Sequence, residues 1–435
     1  MITWTLRKGE DRRIRSQHPW VFSNELAASP KGILPGAPVE LRDFRGEVVA
    51  RGYGNPHSLI AFRALSFGSS GESTPWERSH LLSKLVQAWK RRIKSGCHYS
   101  FRLCFSESDF FPGLIVDYFT LKNGDYTGQV FSVQVLSAGA SSILGDLGSF
   151  FQELTEMAKQ EGLSEFDWQK TGLVVRNDVQ VRKLEGLTVD APVVAKDLGS
   201  FDLTQAPLVL EGAAGRQLIL KADLVEGQKT GFFLDQWENI QIVLSMLERS
   251  WKISKPEGPI RILDLCCYVG HWGTQLAALC KEMDITCEVV LFDISKTALE
   301  FASKNVRAHS DCSVTAVEGD VLEELTQFAD SSFDIVIADP PAFIKNKKDV
   351  PIGRHAYLKM NSQAFRIARS GGWVVSCSCS GLLIESDFAE TLSKSASRGK
   401  KKAIVVGRGG HGADHPFLHS FPEGRYLKMF LQQVE

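Results

Sequence analysis

Between Arg261 and Ser380 the chain holds four aspartates at the ends of apolar runs, a glycine-bearing turn, an Asp-Pro-Pro tripeptide and a Ser-Cys-Ser triplet. Taken in that order, these residues suit cofactor-dependent methyl transfer. Arg261-Ile-Leu-Asp-Leu-Cys-Cys-Tyr-Val-Gly270-His-Trp-Gly273 reads as a strand, a tight turn and then a helix over Thr274 to Cys280. Ligands of doubly wound sheets bind at such a turn. The next apolar run, Val289 to Asp293, ends on a carboxylate about twenty residues further on, where an acid can accept hydrogen bonds from both hydroxyls of a ribose. Asp320 in Glu318-Gly-Asp-Val and Asp339 in Ile335-Val-Ile-Ala-Asp-Pro-Pro341 close two more. Packing alone does not explain four strand-end acids in series.

The elements that must position these residues are spread over 435 residues, more than one hydrophobic core usually supports, so two or three domains are expected. Apolar and charged content are those of an ordinary soluble globular protein. No apolar run approaches the roughly 20 residues that span a bilayer, and the N-terminus lacks the charged-then-apolar order of a signal peptide, so the expectation is cytoplasmic with no membrane partner. Nine cysteines without Cys-x-x-Cys pairs argue against a disulfide framework and against a metal site. Net charge is −1, yet no acid occurs between Leu81 and Ser106, where Lys84, Lys90, Arg91, Arg92, Lys94 and Arg102 accumulate. Arg7, Lys8, Arg12, Arg13 and Arg15 form a second basic group. Such clusters mark either a polyanion site or a solvated face.

Three domains are expected. Residues 1–72 alternate short strand-like runs with Pro and Gly turns, which suggests a small β-barrel. Residues 73–189 read as an α+β domain with helices over Trp76 to Lys94 and about Ser141 to Glu161. Residues 190–435 read as one doubly wound α/β domain.

Nearly the whole chain resembles the bacterial large-subunit ribosomal RNA cytosine-C5 methyltransferases that carry an N-terminal PUA domain, the RlmI-like group. The resemblance rests on His18-Pro-Trp-Val-Phe-Ser23, Glu107-Ser-Asp109, Pro112 to Asp117, Arg176-Asn-Asp-Val, Arg182 to Gly186 and Gly227 to Gln236. Asp339-Pro-Pro-Ala-Phe343, Ser378-Cys-Ser-Gly381, His415-Pro and Phe421 to Lys428 complete it. Phe110, Phe111, Tyr118 and Trp237 depart from the residues that group tends to carry. The resemblance implies a Rossmann-like methyltransferase sheet behind a PUA-like barrel, S-adenosylmethionine as cofactor and large-subunit ribosomal RNA as partner; a homodimer is left open.

That cofactor is a sulfonium joined to an adenosine. Gly270 and Gly273, with Tyr268 between strand and helix, would let it approach the backbone. Asp264 would face its amino group, Asp293 the ribose and Asp320 the adenine, with Val321 packed on the ring. The resemblance adds Lys229, Thr230, Phe232 and Phe233 as a cover, although either phenylalanine could equally be a core residue. Cytosine C5 needs activation before it accepts a methyl group, and a thiolate adding to C6 provides it. Cys379, at the end of the apolar run from Trp373, fits that role, while Cys377, two residues back, reads as packing. Asp339 would hold the base, Pro340 and Pro341 would aim that carboxylate, and Phe343 would flank the flipped ring. Lys90, Arg91 and Arg92 are expected on RNA phosphates. A uracil-C5 methyltransferase, an amino-group RNA methyltransferase and an inactive RNA-binding protein are the alternatives; Ala342, standing where an amino-group enzyme carries an aromatic residue, speaks against the second.

Overall fold

The computed structural model describes residues 1–435, the side chain of Ala214 excepted. It divides into two compact units: Met1–Val209 with Ala222–Leu234 and Ala413–Gly424, and Leu210–Lys221 with Asp235–Gly412 and Arg425–Glu435.

The first unit begins with five strands, Ile2–Thr5, Trp20–Phe22, Ala37–Arg42, Val48–Gly54 and Ile60–Phe67. They form one sheet over a core that includes Leu6, Val39, Leu41, Ala50 and Phe62. A second sheet runs in the order Val193–Lys196, Thr171–Val175, Tyr126–Val135, Leu114–Asn123, Ala206–Glu211, and Phe101–Phe105 also pairs with Leu114–Asn123. Helices Arg78–Lys94 and Leu147–Gln160 share its core through Leu85, Trp89, Phe150 and Leu154. The single helix expected from Ser141 to Glu161 is in fact two. Gly145, at φ +62°, ends Ala138–Leu144, and Asp146 caps the next helix by accepting from the Ser149 amide at 2.7 Å.

The same sheet runs past the boundary expected between 189 and 190. Val193–Lys196 pairs with Thr171–Val175, and Leu208 with Leu121, so the first unit continues to Val209. The first unit holds the β-domain and the middle domain together. Arg63 reaches Glu107 at 2.7 Å and Glu185 at 2.8 Å, all three little exposed, and the Tyr53 hydroxyl donates to the Pro112 carbonyl at 2.5 Å.

The second unit is a seven-stranded sheet in the order Ser313–Glu318, Cys287–Asp293, Ile260–Leu265, Phe333–Ala338, Ala368–Ser378, Lys428–Val434, Ala403–Gly409. The first five are parallel, and Lys428–Val434 runs against both its neighbours. Central strands buried on both faces read as unbroken apolar runs, which is why Ile335 to Ala338 carries no polar residue. Chain order moves outward from Ile260–Leu265 through Cys287–Asp293 to Ser313–Glu318, then returns to place Phe333–Ala338 on its other side. A crevice opens at such a switch point, outside the carboxyl ends of the strands. Among the described residues no helix is long and apolar enough to cross a membrane.

The basic stretch finds its acids far away in sequence. Arg92 is 1 % exposed and forks onto both oxygens of Asp109, at 2.6 Å each, with Nη2 also on the Asp414 carbonyl at 3.0 Å. Arg102 forks onto Asp117 at 2.8 Å. Arg92 is therefore withdrawn as an RNA contact, since its guanidinium is spent inside the unit. Lys90 and Arg91 keep part of their surface but pair with Glu161 at 2.9 Å and Asp109 at 2.7 Å. Removing Arg92 takes the buried bidentate partner from Asp109 and leaves it only the half-exposed Arg91 as a cation. Arg92→Ala should thus lower unfolding free energy by about 3–5 kcal/mol, and Lys90→Ala by about 0–1 kcal/mol, as read by urea denaturation of the full chain. Equal, small losses in both variants would mean that Asp109 is not stranded.

Candidate active site

Asp264 lies within the strand Ile260–Leu265 and Asp339 directly follows Phe333–Ala338, so the two carboxylates flank the switch point. Asp293 ends the neighbouring strand, and Asp320 stands two residues beyond the edge strand. All four bear on one side chain. Burial first, and then the charges of Asp293, Asp339, Asp264 and Asp320, push the half-buried Cys266 thiol well above its ordinary value. The sheet has gathered the acids that the sequence left spread over some eighty positions.

The turn between strand and first helix is strained. Cys266 and Tyr268 take φ of +58° and +48°, and Gly270 takes +79°. A left-handed non-glycine residue costs about 1–3 kcal/mol and persists only where the surroundings hold it. Here the Tyr268 amide donates to Asp293 Oδ2 at 2.9 Å, and Asn305, from the helix Lys296–His309, donates to the Val269 carbonyl at 2.9 Å. Asp293 Oδ1 accepts from the Ser295 amide at 2.9 Å, which leaves each oxygen a further lone pair for a ligand hydroxyl. The two glycines have reasons of their own. A Cβ on Gly270 would come within 2.9 Å of Ala302 Cα, and one on Gly273 within 3.1 Å of Asp264 Oδ2 and of Leu291. Gly270 is required by its approach to the helix Lys296–His309 and by its left-handed φ, and Gly273 sits tight against the sheet; neither reason involves a cofactor.

Asp264 is fully buried. Its Oδ2 accepts from the Gly273 amide at 2.9 Å, while its Oδ1 has no hydrogen-bond partner among the described residues. Burial, reinforced by the charges of Asp339 and Asp293 against the Gly273 hydrogen bond, pushes this carboxyl up to about 8. Asp264, Asp293 and Asp320 form no ion pair among the described residues. An acidic crevice with an orphaned carboxylate oxygen fits a cationic ligand, and S-adenosylmethionine carries both an ammonium and a sulfonium. Asp320 Oδ1 already accepts from the Leu322 amide at 2.8 Å, and Val321 is buried beside it.

Asp339 is held by two neutral donors. Gln236 Nε2 donates to Oδ1 at 2.7 Å and Trp272 Nε1 to Oδ2 at 3.0 Å, while Asn239 fixes the Gln236 amide by donating to its Oε1 at 2.7 Å. Cys379, half-buried just past the strand Ala368–Ser378, places Sγ 3.7 Å from the carbonyl oxygen of Pro340. Cys377 is fully buried in the core, as expected of a packing residue. Pro340 is buried and Pro341 exposed; Phe343 packs edge-on against Tyr357 with centroids 4.8 Å apart.

Lys229, Thr230, Phe232 and Phe233 fall in the first unit. The Thr230 hydroxyl donates to Asp117 and its carbonyl accepts from Ser132 at 3.0 Å, so Thr230 is committed to the middle sheet. Phe232 is buried and Phe233 lies under the Lys229 ammonium at 4.2 Å. Gln236, Asn239, Trp272, Asn305 and Lys428 are site residues that sequence pattern does not single out. Only Asn305 carries a local signal, a buried amide among Phe301, Ala302 and Val306 on the apolar face of its helix.

A doubly wound sheet with acids on its first, second and fourth strands and a PUA-like domain ahead of it defines an S-adenosylmethionine-dependent methyltransferase. Residues 5–67 match the model of a PUA-like domain and residues 257–420 that of a methyltransferase domain. The protein named ribosomal RNA large subunit methyltransferase I from Pseudoalteromonas translucida is 30 % identical over 435 residues, covering 99 % of this chain and 98 % of that one. The protein of the same name from Escherichia coli strain SMS-3-5 is 30 % identical over 442 residues, covering 100 % and 99 %. The chain belongs to this family, the ribosomal RNA large subunit methyltransferase I proteins. A candidate SAM-dependent methyltransferase from Streptococcus mutans shares the fold over 100 % of both chains, with TM-score 0.71 and 16 % identity. A second candidate methyltransferase, complexed with SAH, does so with TM-score 0.72 and 17 % identity.

The raised Asp264 carboxyl gives the cofactor site a pH signature. An ammonium set against Asp264 would favour the ionised acid, and its binding near neutral pH would then expel the proton that burial keeps on this carboxyl. Affinity for S-adenosylmethionine, measured by calorimetry, should rise between pH 6 and 7.5 with a slope approaching about tenfold per unit, and Asp264→Asn should flatten it. A flat profile in the unaltered protein would remove Asp264 from contact with the ammonium.

Proposed function

We propose that this protein methylates C5 of a cytosine in large-subunit ribosomal RNA through a covalent bond between Cys379 and C6 of the base. The observation that carries the reading is the approach of Cys379 Sγ to the Pro340 carbonyl at 3.7 Å, which sets a half-exposed thiol beside the Asp339-Pro340-Pro341 backbone. The names of the relatives support the choice of RNA. Ala342, where an amino-group enzyme needs its stacking aromatic, supports attack at carbon.

S-adenosylmethionine supplies an electrophilic methyl group when bound. The Cys379 thiolate adds to C6 and drives ring electrons onto C5, which forms the new bond to the methyl carbon as that carbon parts from sulfur. The C5 proton then passes to water, N3 returns to water the proton it took up on addition, and departure of the thiolate restores the ring. Asp339, an acceptor fixed by Gln236 and Trp272, holds the exocyclic amino group and stabilises a protonated N3 while the adduct lasts. Lys90 and Arg91, which keep surface exposure, remain available to phosphates.

Cys379→Ala should abolish methyl transfer to ribosomal RNA from a strain lacking the enzyme, with cofactor affinity within a few-fold of normal, because the thiolate acts on the base. Cys377→Ala should keep activity. RNA bearing 5-fluorocytosine should form a denaturation-resistant adduct with the unaltered protein, since fluorine cannot leave C5 as a proton does. Activity lost in the Cys377 variant and kept in the Cys379 variant would reverse the assignment.

A further inference from the structure

Free cysteine titrates near pH 8.5, so a nucleophilic thiol working at neutral pH requires a cation or a set of donors beside it. The chain segment that carries Cys379, Ser376 to Leu383, contains no cationic residue. The adjacent antiparallel strand provides one. Lys428 is the register partner of Ser378 and is 4 % exposed. Its ammonium donates to the carbonyl of Ser380 at 2.6 Å and to the carbonyl of Tyr426 at 2.7 Å. Both acceptors are neutral, and one belongs to the residue that follows Cys379. Buried charges are ordinarily paired, yet among the described residues no carboxylate forms a salt bridge with Lys428. Glu385, whose charge acts on it, is already engaged by Arg425 at 3.2 Å and Arg408 at 3.8 Å.

We propose that Lys428 is the buried cation that holds Cys379 as a thiolate, a positioning residue for the reaction proposed above and dependent on that reading. The thiol proton leaves to solvent, which reaches the half-exposed Cys379, and the thiolate becomes the counter-charge that Lys428 otherwise lacks. Burial pushes the ammonium down to about 8; the charge of Cys379 acts to raise it, Arg425 to lower it and Glu385 to raise it. The remaining titratable groups around the pair do not replace the cation. Tyr357, whose hydroxyl is 2.9 Å from Ser380 Oγ, is pushed up to about 12 by burial and then by Cys379, so it is neutral at working pH. Cys377 is raised well above its ordinary value by burial and then by Asp339, and is also neutral. Asp339 carries no positive charge in either protonation state and so supplies no cation.

The test is alkylation of the full-length protein by iodoacetamide without RNA, following the Cys379 peptide by mass spectrometry from pH 6 to 9.5. In the unaltered protein half-maximal reactivity should fall below the ~8.5 of a free cysteine. A value at or above it overturns the proposal without any variant. In Lys428→Met, which keeps the length and removes the charge, the profile should move up by roughly 1 to 3 pH units, so that alkylation at pH 7 slows about tenfold or more. Lys428→Arg should restore it. Turnover of Lys428→Met should be largely lost at pH 7 and partly recovered at pH 9, whereas a purely structural defect would not recover. Identical alkylation profiles in Lys428→Met and the unaltered protein overturn the pairing while leaving the nucleophile in place. Turnover retained by Cys379→Ala removes the nucleophile, and with it the role of Lys428.

Discussion

The cofactor end of the sheet depends on one hydrogen bond, from the Tyr268 amide to Asp293. The chain must reverse between a buried strand and a buried helix in five residues, and it does so by putting Cys266, Tyr268 and Gly270 in left-handed conformations. Two of these are costly for residues with a Cβ, and a carboxylate accepting the amide, together with Asn305 on the carbonyl of Val269, offsets the cost. The same carboxylate has lone pairs left for a ligand. Support of the turn is thereby carried by a side chain that keeps acceptor capacity at the crevice, and the glycines answer to packing against Ala302 and Leu291.

Around that turn the acids are unequal by environment. Asp339 is satisfied by Gln236 and Trp272, and Asp293 by two amides, so both serve as fixed acceptors. Asp264 has one oxygen unsatisfied and is pushed up by burial. Three carboxylates of one chemical type thus meet different surroundings, with only Asp264 fully buried and short of a donor.

The first unit shows the opposite use of charge. Arg63, Arg92 and Arg102 are turned inward onto Glu107, Glu185, Asp109 and Asp117. A stretch that looks like a polyanion site, because it contains no acid of its own, is partly a set of internal ties whose acids come from later segments. Local charge pattern reports composition along the chain, whereas burial is decided by which elements pack, and the two diverge wherever long-range pairs are made.

The sequence by itself determined the doubly wound class, the four acids and the cysteine of the candidate site. Strand-end position is a local property: an apolar run followed by Asp places that carboxylate at the carboxyl edge of a sheet whatever the strand order. Asp264, Asp293, Asp339 and Cys379 were therefore legible from the order of residues alone. Only the tertiary structure decided that the middle sheet runs on to Val209, that Arg92 is spent on Asp109, that Gln236 and Trp272 hold Asp339, and that Lys428 comes to lie beside the Cys379 segment. Each of these joins residues between seventeen and more than a hundred positions apart, through strand register or helix packing, and no periodicity in the chain encodes which distant side chain will arrive.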